Sequence, residues 1–154
     1  LWFNNNCEEA IAFYKSVFPD TKVGAVLRWG EAGHGEPGTV LTVEFSIFGQ
    51  EFLALNGGPE VKFNESVSFI VDCKDQAEVD RYWTALTADG GEENMCGWLK
   101  DKYGLWWQIT PTKLPELLRD SDPERADRAM NAMLTMRKID IKKLEEAAEG
   151  KVAV

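Results

Sequence analysis

Histidine is almost missing from this chain: His34 is the single one among 154 residues. That scarcity leaves no material for a His-rich metal site and weakens any Ser-His-Asp or Cys-His arrangement. Cysteine is sparse as well. Cys7, Cys73 and Cys96 are odd in number, far apart and in no CxxC pair, so the expectation is three reduced thiols in a cytoplasmic protein. Nothing approaches the run of about 20 apolar residues that crosses a bilayer. Positive charge is in deficit, with 17 Lys and Arg against 26 Asp and Glu and a net charge of −9. Without a local basic patch, such a chain repels phosphate backbones and anionic lipid, which argues against nucleic acid or membrane as partners. A starting methionine is also lacking. Leu1-Trp2-Phe3 reads as a strand already under way, so chain upstream is expected and nothing follows about a leader peptide.

What is present is an ordinary globular balance, 44% hydrophobic and 28% charged. It suits one domain, or two small modules sharing a core. After the strand tail, Asn4-Asn5-Asn6 supplies an N-cap and Glu8-Glu9 suit a first helical turn. Ala10, Phe13, Tyr14 and Val17 form one helical stripe, with Ile11 and Phe18 beside it, and Pro19-Asp20 stops it. A strand over residues 21–29 leads into a glycine-rich loop over 30–38. Strands over 39–48 and 50–56 then form a hairpin around Gly49, closed by Gly57-Gly58-Pro59.

The order recurs. Residues 66–72 alternate as a strand, Asp75 caps a helix to about residue 88, Asp89-Gly90-Gly91 ends it, and strands follow near 92–95, 96–101 and 105–110. Glu9 to Tyr14 align with Glu78 to Trp83, and Val17 falls on Leu86, so each helix carries an adjacent aromatic pair followed by an aliphatic residue. A duplicated βαβββ unit explains this pattern. In the last hairpin Asp101 to Gly104 holds the turn, with Gly104 free to take a positive φ. Leu105, Trp107 and Ile109 then face one way and Trp106, Gln108 and Thr110 the other. Beyond Pro111, helices are expected over 114–118, from Pro123 with Asp122 as cap, and over 141–149 with Asp140 as cap. The methionines near 130–136 suit core filling or a dimer contact.

Five segments carry a family resemblance: Glu8-Glu9-Ala10-x-x-Phe13-Tyr14, Glu51 to Gly58, Gln76 to Asp80, Cys96 to Asp101, and Met136 to Ile141. Together with the duplicated plan they make the chain resemble the PhnB-like, or demethylubiquinone 3-methyltransferase-like, branch of the vicinal-oxygen-chelate superfamily. That group includes glyoxalase I, extradiol dioxygenases and bleomycin-resistance proteins. The resemblance implies an α+β fold in which curved mixed sheets wrap a cavity, and a homodimer. With the recurring element order and the shift to helix formers after Pro111, this gives a vicinal-oxygen-chelate domain over 1–111, with modules near 1–58 and 66–111, then a helical extension over 112–154. The resemblance fixes no reaction, and no strand, glycine-rich loop and helix in succession suits a nucleoside methyl donor. Superfamily members that use a metal place His or Glu on inward strand positions. Here those positions hold Ser66, Gln108 and either Leu53 or Asn56, a poor donor set for a divalent ion; a ligand on the first strand would precede Leu1. No metal and no cofactor are expected.

Strand parity gives a second route to the site. Leu41, Val43, Phe45 and Ile47 form one apolar row, with Thr42, Glu44 and Ser46 opposite. Solvent on that opposite face would produce the same alternation. In the family plan the helix covers the apolar row, which turns Thr42, Glu44 and Ser46 toward the cavity with Ser66, Ser68, Trp106 and Gln108, and puts Asn56 near its rim. Glu44 suits a general base if water is scarce, or is a solvated glutamate. Trp106 can stack on a flat ligand or simply fill core. His34 belongs to a mobile lid or to an exposed loop without a role; Trp29 and Trp98 suit core or interface. Three functions follow: a small-molecule-binding protein; a lyase, isomerase or dioxygenase-type enzyme, metal-dependent or using Glu44; or an interaction module whose cavities are filled by its own side chains.

Overall fold

Val43, Phe45 and Ile47 are buried while Glu44 between them is exposed, and that alternation fixes which side of the first sheet carries a helix. The computed structural model describes residues 1–151 as two units, one spanning Leu1–Phe63 and the other starting at Asn64. The first runs β1 (Trp2–Phe3), α1 (Cys7–Val17), β2 (Lys22–Arg28), β3 (Val40–Ile47) and β4 (Gln50–Asn56). Its sheet has the order β1-β4-β3-β2, with β1 parallel to β4 and the other neighbours antiparallel. α1 packs on β3 and β4. There Tyr14 stacks on Phe45 at 6.3 Å and Phe45 on Phe52 at 5.1 Å between ring centroids. Every residue of the edge strand β2 is exposed.

Phe48 and Gly49, with φ of 49° and 78°, are the two central residues between the paired Ile47 and Gln50. Two positive φ values make this a type I′ turn, whose twist matches that of the flanking strands. The start of α1 departs from the sequence expectation. Asn6 occupies the N-cap position but makes no capping bond through its side chain. Asn56 at the end of β4 does that work from a distance, its Oδ1 accepting from the Cys7 N–H at 3.0 Å.

The second unit repeats the plan with β5 (Phe69–Cys73), α2 (Gln76–Thr87), β6 (Glu92–Glu93), β7 (Trp98–Lys100) and β8 (Trp106–Pro111), in the order β5-β8-β7-β6. The order and the parallel outer pair match the first sheet strand for strand, as duplication requires. Val79, Tyr82, Trp83 and Leu86 of α2 are buried beside Val71, Leu99, Trp107 and Ile109. β5 begins later than the alternation of 66–72 suggests. Ser66 turns back onto Asn64, whose Oδ1 accepts from both the backbone N–H and the hydroxyl of Ser66; this Asx-type turn competes with strand pairing.

Three helices complete the unit: α3 (Lys113–Leu118), α4 (Pro123–Leu134) and α5 (Ile141–Ala148). They share a small core of Leu114, Leu117, Ala129, Ile139, Leu144 and Ala148, with Met133 and Met136 packed against it. Asp122 and Asp140 cap α4 and α5 through their side chains. The backbone before α5 is strapped to the second sheet's hairpin: Cys96 and Gly97 donate to the carbonyls of Met136 and Arg137, both at 2.7 Å. Gln76 of α2 closes the strap, its Nε2 donating to the Ile139 carbonyl at 3.0 Å and its Oε1 accepting from the Ile141 N–H at 2.9 Å. The architecture is α+β, with eight strands in two open mixed sheets and five α-helices among the described residues. No helix among them is long and apolar enough to cross a membrane.

Candidate functional site

On the helix-free side of the first sheet, side chains line up in rows across the strands. Lys22, Ser46 and Glu51 make one row, because Ser46 pairs with both of the others. In the next, Glu44 pairs with Leu53, and the β2 ladder slips between Val23 and Val26. That slip leaves Gly24 beside Glu44: a Cβ at residue 24 would lie 3.2 Å from the Glu44 Cβ and 3.4 Å from its Oε2. The glycine therefore keeps the carboxylate uncovered. These two rows form an open groove of about 510 Å³, lined by Lys22, Gly24, Glu44, Ser46, Glu51 and Leu53, with Val23, Phe45 and Phe52 completing it. Thr42 pairs with Leu27 and Leu55 one row further along the same face, outside the lining.

The second sheet presents its own helix-free side. Ser68, just before β5, accepts from Gln108 Nε2 at 2.9 Å. Trp98 pairs with Gln108, and Lys100 with Trp106; the Lys100 ammonium sits 6.0 Å from the Trp106 ring centroid and 2.9 Å from a carboxylate oxygen of Glu92. Trp98, Trp106 and Gln108 are half-buried, so an indole shelf with a central amide is in place. Thr42, Glu44 and Ser46 thus share one face, and Ser68, Trp106 and Gln108 share another.

Asn56 and Ser66 are spent on local structure. Asn56 Nδ2 donates to the Val40 carbonyl at 3.0 Å while its Oδ1 caps α1, which commits both ends of its amide. Ser66 is exposed in its turn with Asn64. His34 is exposed, in a loop that folds over the Trp29 indole; a Cβ at Gly33 or Gly35 would run into that ring.

Asp101 proves to be more than a turn residue. It is 1% exposed. Its Oδ1 accepts from the Tyr103 and Leu105 N–H groups at 2.9 and 3.0 Å, and its Oδ2 from Trp107 Nε1 at 2.9 Å. Burial, helped by the nearby Glu78 and Asp72 carboxylates, pushes the Cys73 thiol up to about 12. Burial likewise raises Cys7. Both thiols are buried, which disfavours the thiolate that nucleophilic chemistry needs.

Lys22, Gly24 and Glu51 escaped the site reading from sequence, and Leu53 entered it only as an inward position unsuited to a metal. A signal for two of them existed: a two-residue turn at Phe48-Gly49 dictates that Ser46 meets Glu51 and that Glu44 meets Leu53. Lys22 and Gly24 depend on the β2 slip, which has no local sequence signature.

The positions where metal-using relatives of this fold carry ligands do not fit a divalent ion. Leu53 is apolar, Gln108 is engaged with Ser68, Ser66 with Asn64 and Asn56 with backbone. Among the described residues no three His, Cys, Asp or Glu side chains gather closely enough to share a metal.

Two βαβββ repeats, each an open mixed sheet with a helix on one side and a polar-centred face on the other, define the vicinal-oxygen-chelate class. Within it, residues 1–110 match the model of the 3-demethylubiquinone-9 3-methyltransferase family, and the chain belongs to that PhnB-like family. The PhnB protein of Bacillus cereus is similar in structure, at 33% identity over 73% of this chain and 95% of its own, with a TM-score of 0.65. A Pseudomonas aeruginosa protein shares the fold at 21% identity over 72% of this chain and 92% of its own, with a TM-score of 0.59. No curated protein matches the chain.

Proposed function

We propose that this chain is a small-molecule-binding protein whose ligand lies in the groove on the first sheet. The observation that carries the reading is the pairing of Glu44 with Leu53, a carboxylate beside an exposed apolar side chain inside a depression of about 510 Å³. Pockets for small ligands combine such apolar surface with a few polar groups. Ser46 supplies a further polar contact in the groove, Thr42 extends the same face one row beyond it, and the second sheet carries a separate candidate surface of Ser68, Trp106 and Gln108. Ligand binding needs no metal in this reading, given the donor set above. Methyl transfer is disfavoured too: the glycine-rich segment joins β2 to β3, so no helix starts on it to receive a nucleoside methyl donor. The protein acts in the cytoplasm, where its three free thiols stay reduced. It works as a homodimer, which would cover the bare edge of β2.

A thermal-shift screen of small molecules tests the reading. Ligands should raise the melting temperature of the native sequence and fail to do so with Leu53→Arg. Hits that ignore that substitution would move the site elsewhere, and a stoichiometric divalent ion in protein purified without chelator would reverse the metal-free assignment.

An enzymatic variant of the same site would use Glu44, exposed in the open groove, as a solvated carboxylate base. Gly24 leaves the Glu44 carboxylate uncovered with Ser46 as its neighbour on the same face, an arrangement open to proton abstraction from a bound ligand. If turnover exists, Glu44→Gln lowers kcat by about 10²–10⁴-fold, beyond any loss of ligand affinity.

A further inference from the structure

We infer that the groove takes a small amphipathic amine, with its ammonium held between Glu44 and Glu51 and its apolar body lying along Leu53; this rests on the reading that the groove binds a ligand. Glu44 and Glu51 stand diagonally across β3 and β4, a relation that puts the two residues about 7–8 Å apart with their Cβ atoms somewhat closer. Two glutamate side chains at that spacing can converge on one ammonium, which has three N–H donors to satisfy. None of the ion pairs among the described residues uses Glu44, Glu51 or Lys22, so these charges are not spent on one another.

Two features choose a cation over an anion or a neutral molecule, and a third makes room for it. Two carboxylates meet one ammonium in the lining. The chain around them carries a net charge of −9, so the surrounding field draws cations in. Gly24 holds open the space beside Glu44 that any side chain would fill. The apolar half of the ligand follows from the next positions along the face. Leu53 is 52% exposed inside the groove and Leu27 is 56% exposed one row beyond, beside Thr42. A ligand running from the charged row to the apolar one meets each kind of surface in turn.

The test uses three probes of one shape: 2-phenylethylamine, 2-phenylethanol and 3-phenylpropionate. Each is titrated into the full chain while backbone amide shifts are followed by NMR. The amine should perturb amides of β3 and β4 around residues 44–53, and bind about tenfold or more tightly than the alcohol or the acid. Glu44→Gln and Glu51→Gln should each weaken the amine several-fold without affecting the alcohol, and Lys22→Gln should strengthen it. Gly24→Ala should weaken it by crowding Glu44. Equal or better binding of the acid or alcohol at the same amides would overturn the amine assignment and leave the groove as a binding site. If none of the three probes, and none of the screened molecules, perturbs residues 44–53, both readings fall. All four substitutions lie on exposed or open-face positions, and unchanged spectra outside the groove would verify folding.

Discussion

Asp101 shows how much one buried carboxylate can organise. It collects two backbone N–H groups and an indole N–H, fixing the turn before β8 and holding Trp107 on the helix side. Asp101→Ala leaves those donors facing apolar surroundings, at about 1–3 kcal/mol for each unsatisfied group. The variant should lose several kcal/mol of unfolding free energy in urea titration; a loss under 1 kcal/mol would mean water replaces the carboxylate. Asp101→Asn is the finer probe, because its NH2 confronts a donor where Oδ2 now accepts. Sequence alone placed this aspartate in the turn but not in the interior, since a charged side chain is seldom fully buried. Cys73 gives a pH-dependent counterpart. The folded chain holds its thiol proton up to about 12 against an ordinary value of 9.0, so the unfolded chain ionises first as pH rises. The stability tied to that proton is complete below pH 9.0 and is lost toward pH 12. Urea midpoints should fall across that interval, and fall less in Cys73→Ala.

Turns and caps make the case at the scale of elements. Gly49 and Gly97 both have positive φ, but their surroundings differ. Nothing lies within 4 Å of a Cβ at Gly49, whereas one at Gly97 meets the Ile109 carbonyl at 2.9 Å and Ile139 Cγ1 at 3.1 Å. Gly49→Ala should cost about 1 kcal/mol, the backbone term alone. Gly97→Ala adds a steric cost of about 1–3 kcal/mol and should loosen the strap, lowering hydrogen-exchange protection in α5. Equal losses in the two variants would show that the strap absorbs the clash. Elements governed by neighbouring residues were legible in the sequence: the Asp75, Asp122 and Asp140 caps all form, and the alternation in β3 and β8 gave the correct faces. The misreadings came from partners distant in the chain. Asn6 lost its capping role to Asn56, and the strand reading of 66–68 lost to a turn built on Asn64. The groove falls between these cases: its faces were readable by parity, its complete membership only through register.

For the molecule as a whole, net charge and the bare strand pull in opposite directions. Val23, Val26 and Leu27 of β2 are each about half exposed, at 49%, 45% and 56%, and an open apolar edge invites pairing. The matching edge β6 is two glutamates long, a short charged strand of the kind that discourages it. Two copies each carrying −9 repel one another, and salt screens that repulsion within about 10 Å at 0.1 M. A homodimer through β2 should therefore tighten between 50 and about 500 mM salt in sedimentation velocity, and Val26→Asp should shift it to monomer. Monomer at every salt concentration would leave β2 without a partner copy.

The strap between the last hairpin and the segment before α5 bears on how the chain is made. During synthesis, the first sheet has all its strands once Asn56 has left the ribosome. Cys96 and Gly97 must wait for Met136 and Arg137, and Gln76 for Ile139 and Ile141, before their bonds can form. Birth order therefore favours an early amino-terminal module and a late carboxy-terminal one, and a chain released short of residue 136 would carry a second hairpin with open donors and an uncovered core.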